Sequence, residues 1–204
     1  MYSVKLDEAL VYPTKVVCVG RNYLEHIQEL NNAIPEQMVV FNKPSTSISS
    51  TLRSAHQEPL HYEGEICFLV KDSQLHGVGL GLDLTKRGLQ SKLKEKGLPW
   101  ERAKAFDGSA VFSRFIPLAG LDIHQLEIEL FINCVRVQKG DVSQMMYSPN
   151  VILQELQSYT TLQDGDVIMT GTPQGVGEVH QGDVFLARLK QNEETLIEIE
   201  WVAE

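Results

Sequence analysis

The stretch HYEGEICFLV, residues 61–70, constrains this chain more than any other. Ile66 through Val70 are apolar at consecutive positions, so a strand here buries both faces and belongs inside a sheet. Glu63 and Glu65 stand immediately before that run. Alternate residues of a strand share a face, which sets the two carboxylates side by side, about 7 Å apart along the backbone. Two neighbouring acids entering a buried strand repel each other unless a cation or a proton intervenes. Gly64 between them removes bulk from the opposite face. The plainer alternative is an exposed strand edge with two solvated acids.

Asp83 closes GVGLGLDL, residues 77–84, where glycines alternate with Val and Leu at strand period. Taken alone it reads as an acid preceding a helix, since Thr85 and a helical pattern follow. As a third oxygen ligand it completes a three-carboxylate set. Hard oxygen donors without Cys or His suit Mg²⁺, with Mn²⁺ or Ca²⁺ as alternatives. Such a set leaves positions for water and two substrate oxygens.

Residues 22–31 place Tyr23, Leu24, Ile27 and Leu30 on one helical face. Asn22 is the expected N-cap, and Glu25 suits a capping box. His26 and Glu29 are three apart and meet on one face. A carboxylate on an imidazole fixes its tautomer and raises its basicity, giving a general base; the plainer reading is a solvated polar face. Arg21, Lys43, Arg87 and Lys104 are scattered cations, of the kind usually solvated. Residues 170–177, TGTPQGVG, follow the apolar DVIM. Their glycines force a compact turn whose N–H groups either converge on an anion or merely connect two strands. Thr172 adds a hydroxyl there.

Elsewhere the pattern predicts strands at 15–19 and 38–42 and an exposed basic helix over 85–97, begun by Thr85 and stopped by Gly97. LEIELFINCVRV reads as a strand or a hairpin, VILQELQSY as a helix, and DVIMTG, DVFLARL and TLIEIEWV as strands between Gly-Asp turns. Strands outnumber helices, which predicts an α+β fold with a mixed or antiparallel sheet in one domain over 1–204. A net charge of −9 argues against nucleic-acid binding and against anionic membranes. Cys18, Cys67 and Cys134 each sit in an apolar run and read as buried free thiols in a reducing compartment. The start carries early charges and no apolar leader, and no run approaches the roughly 18 apolar residues of a membrane span, so a cytoplasmic location is expected. There is no G-x-S-x-G, P-loop, dinucleotide fingerprint or H-E-x-x-H.

VVCVGRNYLEHIQEL, VVFNKPST, HYEGEICFLV, GLDLTKRGLQ, GLPWERAKAFDGS and GDVIMTGTPQGVG occur in one order between about residues 15 and 185. Together they resemble the fumarylacetoacetate hydrolase family, nearest its short acylpyruvase and oxaloacetate-decarboxylase-like branch. The resemblance implies a mixed β-roll or sandwich with flanking helices, a homodimer, and a divalent cation, Mg²⁺ first. It implies metal ligation by Glu63, Glu65 and Asp83, and a His26–Glu29 dyad handling water or a proton on a segment that orders as a lid. Lys104 matches a lysine beside the metal, and Arg87, Gln90, Lys43 and Thr172, with Arg21, match as substrate contacts. The activity implied is on a small 2-oxo acid through an enolate stabilised by the cation, first as C–C hydrolysis of 3-acylpyruvates with oxaloacetate decarboxylation possible. Alternatives are tautomerisation or isomerisation of oxaloacetate or of 2-hydroxyhepta-2,4-diene-1,7-dioate type substrates, and a non-catalytic metabolite-binding relative. The chain departs from the family at KDSQLHGVG, where relatives usually place a helix, at Gly88 and at Ala110.

Overall fold

The structure, a computed structural model, describes residues 2–30 and 33–204. Its centre is a mixed sheet. In chain order the main strands are β1 (Lys15–Gly20), β2 (Val39–Pro44), β3 (Ile48–Ser49), β4 (Gly64–Lys71), β5 (Gln74–Asp83), β6 (Ala110–Phe112) and β9 (Val167–Met169). They lie in the order β2-β1-β9-β4-β5-β6-β3. The β9–β1 and β3–β6 pairs are parallel and the others antiparallel. A second, antiparallel sheet is built from β7 (Leu126–Ile132), β8 (Val135–Asp141), β10 (Val184–Gln191) and β11 (Glu194–Val202), ordered β8-β7-β10-β11. The helices are α1 (Leu24–Glu29), α2 (Arg87–Glu95), α3 (Glu101–Lys104) and α4 (Pro149–Tyr159). No described helix is long and apolar enough to cross a membrane.

Side-chain alternation sorts the central strands between separate cores, as period-2 geometry requires. Ile66 and Phe68 of β4, with Val78, Leu80 and Leu82 of β5, pack on Leu126, Ile128 and Leu130 of β7 and Phe185, Ala187 and Leu189 of β10. Cys67 and Leu69, one residue out of phase, face Val16, Cys18, Val167, Met169 and Phe115. Val17, Val19 and Ile168 point the other way, onto Ile152, Leu153 and Leu156 of α4. The central strands are therefore covered on both sides, as the unbroken apolar run of β4 predicts. Burial of a side chain such as Phe68 contributes roughly 1.5–3 kcal/mol. The alternating glycines of β5 let neighbours close in: a Cβ on Gly81 would sit 2.8 Å from the Cys67 sulfur and 2.9 Å from the Phe112 ring.

The segment that lacks the family's usual helix is a hairpin. Lys71 pairs with Gln74, and Asp72 and Ser73 turn with φ of 50° and 61°. Positive φ at both central positions matches the right-handed twist of β4 and β5. LEIELFINCVRV is likewise a hairpin, β7–β8, turning at Asn133 and Cys134. That turn exposes Cys134, so only Cys18 and Cys67 are the buried thiols expected. The predicted cap of the first helix also differs. Tyr23 holds the N-cap position without a side-chain hydrogen bond. Asn22 is instead fully buried and binds the backbone of Tyr147 and Thr170. Position 31, the last of that predicted helix, lies outside the described residues. The helix predicted over 85–97 spans Arg87–Glu95, with Lys86 at its N-cap.

Candidate active site

Glu63, Glu65 and Asp83 converge, and an oxygen from each lies within 4.8 Å of the others. The register explains this: Gly64 pairs with Leu82 and Glu65 with Gly81, and the Asp83 N–H donates to the Glu63 carbonyl at 2.9 Å. One antiparallel ladder thus brings the end of β5 beside the entry to β4. All three carboxylates are buried.

Their partners are unequal. Lys104 Nζ donates to Glu63 Oε2 and to Asp83 Oδ2, both at 2.8 Å, and to the Thr85 hydroxyl at 2.6 Å. Arg87 Nη2 lies 2.5 Å from Glu63 Oε1. Lys43 Nζ approaches Asp83 Oδ1 at 2.8 Å and also reaches the Lys104 carbonyl and Ser109. Burial pushes the Glu63 carboxyl up, but Lys104 and Arg87 outweigh it and hold it below the ordinary range. Burial pulls the Lys104 ammonium down, and Asp83 and Glu63 more than offset that, so it stays protonated. Glu65 is the exception. Its hydrogen bond is accepted from the Gly171 N–H at 2.8 Å, and burial followed by repulsion from Asp83 and Glu63 pushes its carboxyl well up.

These observations test whether the residues suit a divalent cation. A buried acid short of positive charge, beside two others, is relieved by a cation. Asp83 Oδ1 is buried and, despite the nearby lysine, lacks a well-aligned hydrogen bond. The donors are all carboxylate oxygen, the preference of Mg²⁺, Mn²⁺ and Ca²⁺. The residues present fit the group.

The loop at 170–177 grips anions that belong to the protein itself. The Gly171 N–H binds Glu65, and the Gly175 N–H binds Glu29 Oε1 at 3.0 Å. The other oxygen of Glu29 meets His26 Nδ1 at 3.2 Å. Glu29 therefore orients the imidazole and latches α1 to the loop. Gly175 has φ +99°, and a Cβ there would stand 1.9 Å from the Val137 carbonyl oxygen, so no other residue fits. Thr172 is buried, donates to the Gly64 carbonyl at 2.9 Å, and accepts from Gln138.

A cavity of about 30 Å³ opens beside the acids, lined by the buried Glu63, Lys104, His26 and Gln90 and by the partly exposed Arg21, Arg87, Lys94 and Trp100. His26, Arg21, Arg87, Gln90 and Lys104 of the predicted set thus share one wall. Lys43, Glu65, Asp83 and Thr172 lie behind it, and Glu29 reaches it through His26. Three participants were not among the residues singled out in the sequence. Gln138 sits in β8 with nothing to show that it is buried. Trp100 follows the Gly97 stop, outside any element expected from the pattern. Lys94 is detectable by spacing, since Arg87, Gln90 and Lys94 recur at helical intervals of three and four.

The fumarylacetoacetate (FAA) hydrolase C-terminal family matches residues 15–199. With that match over most of its length, the chain belongs to the fumarylacetoacetate hydrolase family. It is 39% identical to the oxaloacetate tautomerase YcgM of Escherichia coli over 193 residues, covering 85% of this chain and 88% of that protein. It is 38% identical over 184 residues to the human mitochondrial oxaloacetate tautomerase FAHD1, covering 82% and 83% of the two chains. The solved fumarylpyruvate hydrolase of Pseudomonas aeruginosa, in complex with Mn²⁺ and pyruvate, superposes with a TM-score of 0.88 at 28% identity, covering 98% and 94%.

Proposed function

We propose that this protein is a divalent-metal-dependent tautomerase of oxaloacetate, interconverting its keto and enol forms. The observation that carries the reading is the buried convergence of Glu63, Glu65 and Asp83 beside Lys104, at a cavity that His26 also lines. The names of the relatives favour tautomerisation over the acylpyruvate hydrolysis that leads the sequence reading. A bound divalent cation would supply Lewis acidity, favouring the enolate form of a 2-oxo acid, and Mg²⁺ is the proposed ion.

The chain's own groups handle the proton. His26 donates through Nδ1 to Glu29, which leaves Nε2 as the acceptor. Nε2 removes one proton from C3, and the negative charge passes to the ketone oxygen. Lys104, held protonated, faces that charge. Arg87 and Gln90, hydrogen-bonded to each other at 2.8 Å, present donors to the substrate carboxylate. Return of that proton from Nε2 to the oxygen completes the enol and restores the neutral imidazole, with no atom gained or lost. Arg21, Lys43 and Thr172 complete the proposed substrate-binding set, Lys43 and Thr172 by holding Asp83 and the β4 entry in place.

C–C hydrolysis remains a second reading because the superposed fumarylpyruvate hydrolase shares the fold. The proposal extends to a single catalytic domain over the whole chain, working as a homodimer in the cytoplasm. The test is to follow decay of the enol absorbance of oxaloacetate, with NMR detection of pyruvate. Acceleration without pyruvate release, lost in EDTA and restored by Mg²⁺, is expected. Full activity in a Glu63→Ala, Glu65→Ala double variant would refute the metal role.

A further inference from the structure

The partly exposed part of the cavity lining is positively charged. Arg87 and Lys104 are paired with Glu63, and Lys43 with Asp83. Arg21 and Lys94 add two partly exposed cations at the mouth, both near one aromatic ring. The Arg21 guanidinium carbon lies 5.8 Å and Lys94 Nζ 4.9 Å from the Trp100 ring centroid. Arg21 has φ +57°, which turns the chain at the end of β1. Lys94 arrives from α2, one turn beyond Gln90 on the face that also carries Arg87. Among the described residues no carboxylate lies within 4.0 Å of Lys94. Its ammonium is pulled down to about 8 by burial and by Arg21 and Arg87. Like charges crowded at a half-buried mouth are relieved by an arriving anion.

Substrates of the proposed site share one head, a carboxylate beside a ketone, and differ only at the far end. An acylpyruvate or pyruvate presents an uncharged far end, and a 2-oxo dicarboxylate presents a second carboxylate. With the head toward Glu63 and Lys104, the far end faces the mouth. We propose that Lys94, set over Trp100 together with Arg21, receives the distal carboxylate and makes the site selective for short 2-oxo dicarboxylates over 2-oxo acids with an uncharged far end. This rests on the 2-oxo acid reading above. Lys94 acts at the end of the substrate where no bond changes, so its loss falls on binding and leaves the chemistry intact.

The experiment compares the parent with Lys94→Met and Lys94→Arg in the presence of Mg²⁺. Oxaloacetate tautomerisation is measured for kcat and KM, and pyruvate and oxalate affinities by calorimetry. For K94M the KM for oxaloacetate should rise about tenfold to hundredfold, the range for a lost charge-assisted hydrogen bond. Its kcat and its affinities for pyruvate and oxalate should stay within about threefold of the parent. K94R should recover most of the loss, because it keeps the charge. An unchanged KM for oxaloacetate, or an equal loss for pyruvate, overturns the proposal alone. A parent that binds neither pyruvate nor oxalate with Mg²⁺ overturns the 2-oxo acid reading, and this proposal falls with it.

Discussion

Replacing Gln138 by Leu tests the link between the two sheets and the acids. Gln138 comes from β8, is 1% exposed, and is the side chain through which that sheet grips the entry to β4. Its Oε1 accepts from the Gly64 N–H at 2.9 Å, and its Nε2 donates to the Thr172 hydroxyl and the Pro173 carbonyl, both at 2.8 Å. Leucine has a similar volume, so the cavity contribution is small. The Gly64 N–H and the Pro173 carbonyl lose their partners, and each buried orphan costs about 1–3 kcal/mol. Thr172 keeps its bond to the Gly64 carbonyl at 2.9 Å and adds little. The expected loss is about 2–6 kcal/mol, or roughly 4–24 °C in Tm for a chain of this size. Urea unfolding at unchanged m reads it directly. Because Gly64 separates Glu63 from Glu65, Mg²⁺ affinity by calorimetry should fall as well. Gln138→Glu would set a buried carboxyl against the Pro173 carbonyl oxygen that the amide donates to, and should cost at least as much as Q138L. A Q138L protein within about 0.5 kcal/mol of the parent, with unchanged Mg²⁺ affinity, would show that the amide carries no such burden.

Three further outcomes are expected. Saturation with Mg²⁺ at about a hundred times its Kd should raise the parent's Tm by roughly 5–11 °C and leave a Glu65→Gln variant nearly unmoved; equal shifts would place the ion elsewhere. Gly175→Ala should be strongly destabilised, because a Cβ at that point meets the Val137 carbonyl oxygen at 1.9 Å, and a well-folded variant with parental Tm would contradict the packing. Asp166, with its side chain fully buried, accepts from Thr14, Lys15 and Gln163. Burial pushes its carboxyl up, but these bonds prevail and hold it below its ordinary value of 3.8. A depressed acid stabilises the fold above that ordinary value and loses its contribution as pH falls through the lower folded value. Asp166→Asn should therefore cost about 1–3 kcal/mol at neutral pH, and the gap to the parent should close only in strong acid; a gap that closes between pH 7 and pH 5 would refute the assignment.

What the chain concealed follows a physical pattern. The two-sided burial of the central sheet was readable because Ile66 through Val70 of β4 are apolar without a break, and alternation alone then assigns the faces. Glu63 and Glu65 were readable because alternate strand positions share a face; Asp83 joined them through the resemblance, and the hairpin that brings it beside them was not expected. Asn22 misled because an asparagine before a helix and an asparagine bridging two distant backbones look alike locally; its partners are about 125 and 148 residues away. Cys134 misled because its apolar neighbours belong to two strands and the residue itself to the turn between them. Gln138 was invisible for the related reason that its partners, Gly64 and Thr172, come from other elements. Long-range polar pairing leaves no local periodicity to detect.

The loop after β9 joins two events at one short span of backbone. Its amide at 171 is fastened to Glu65 and its amide at 175 to the carboxylate that anchors the helix bearing the imidazole. Four residues of chain, with the second glycine wedged against the neighbouring strand, leave little slack between these attachments. The imidazole and the Glu65 carboxylate are consequently mounted on one short, taut span, so a shift of either is felt by the other.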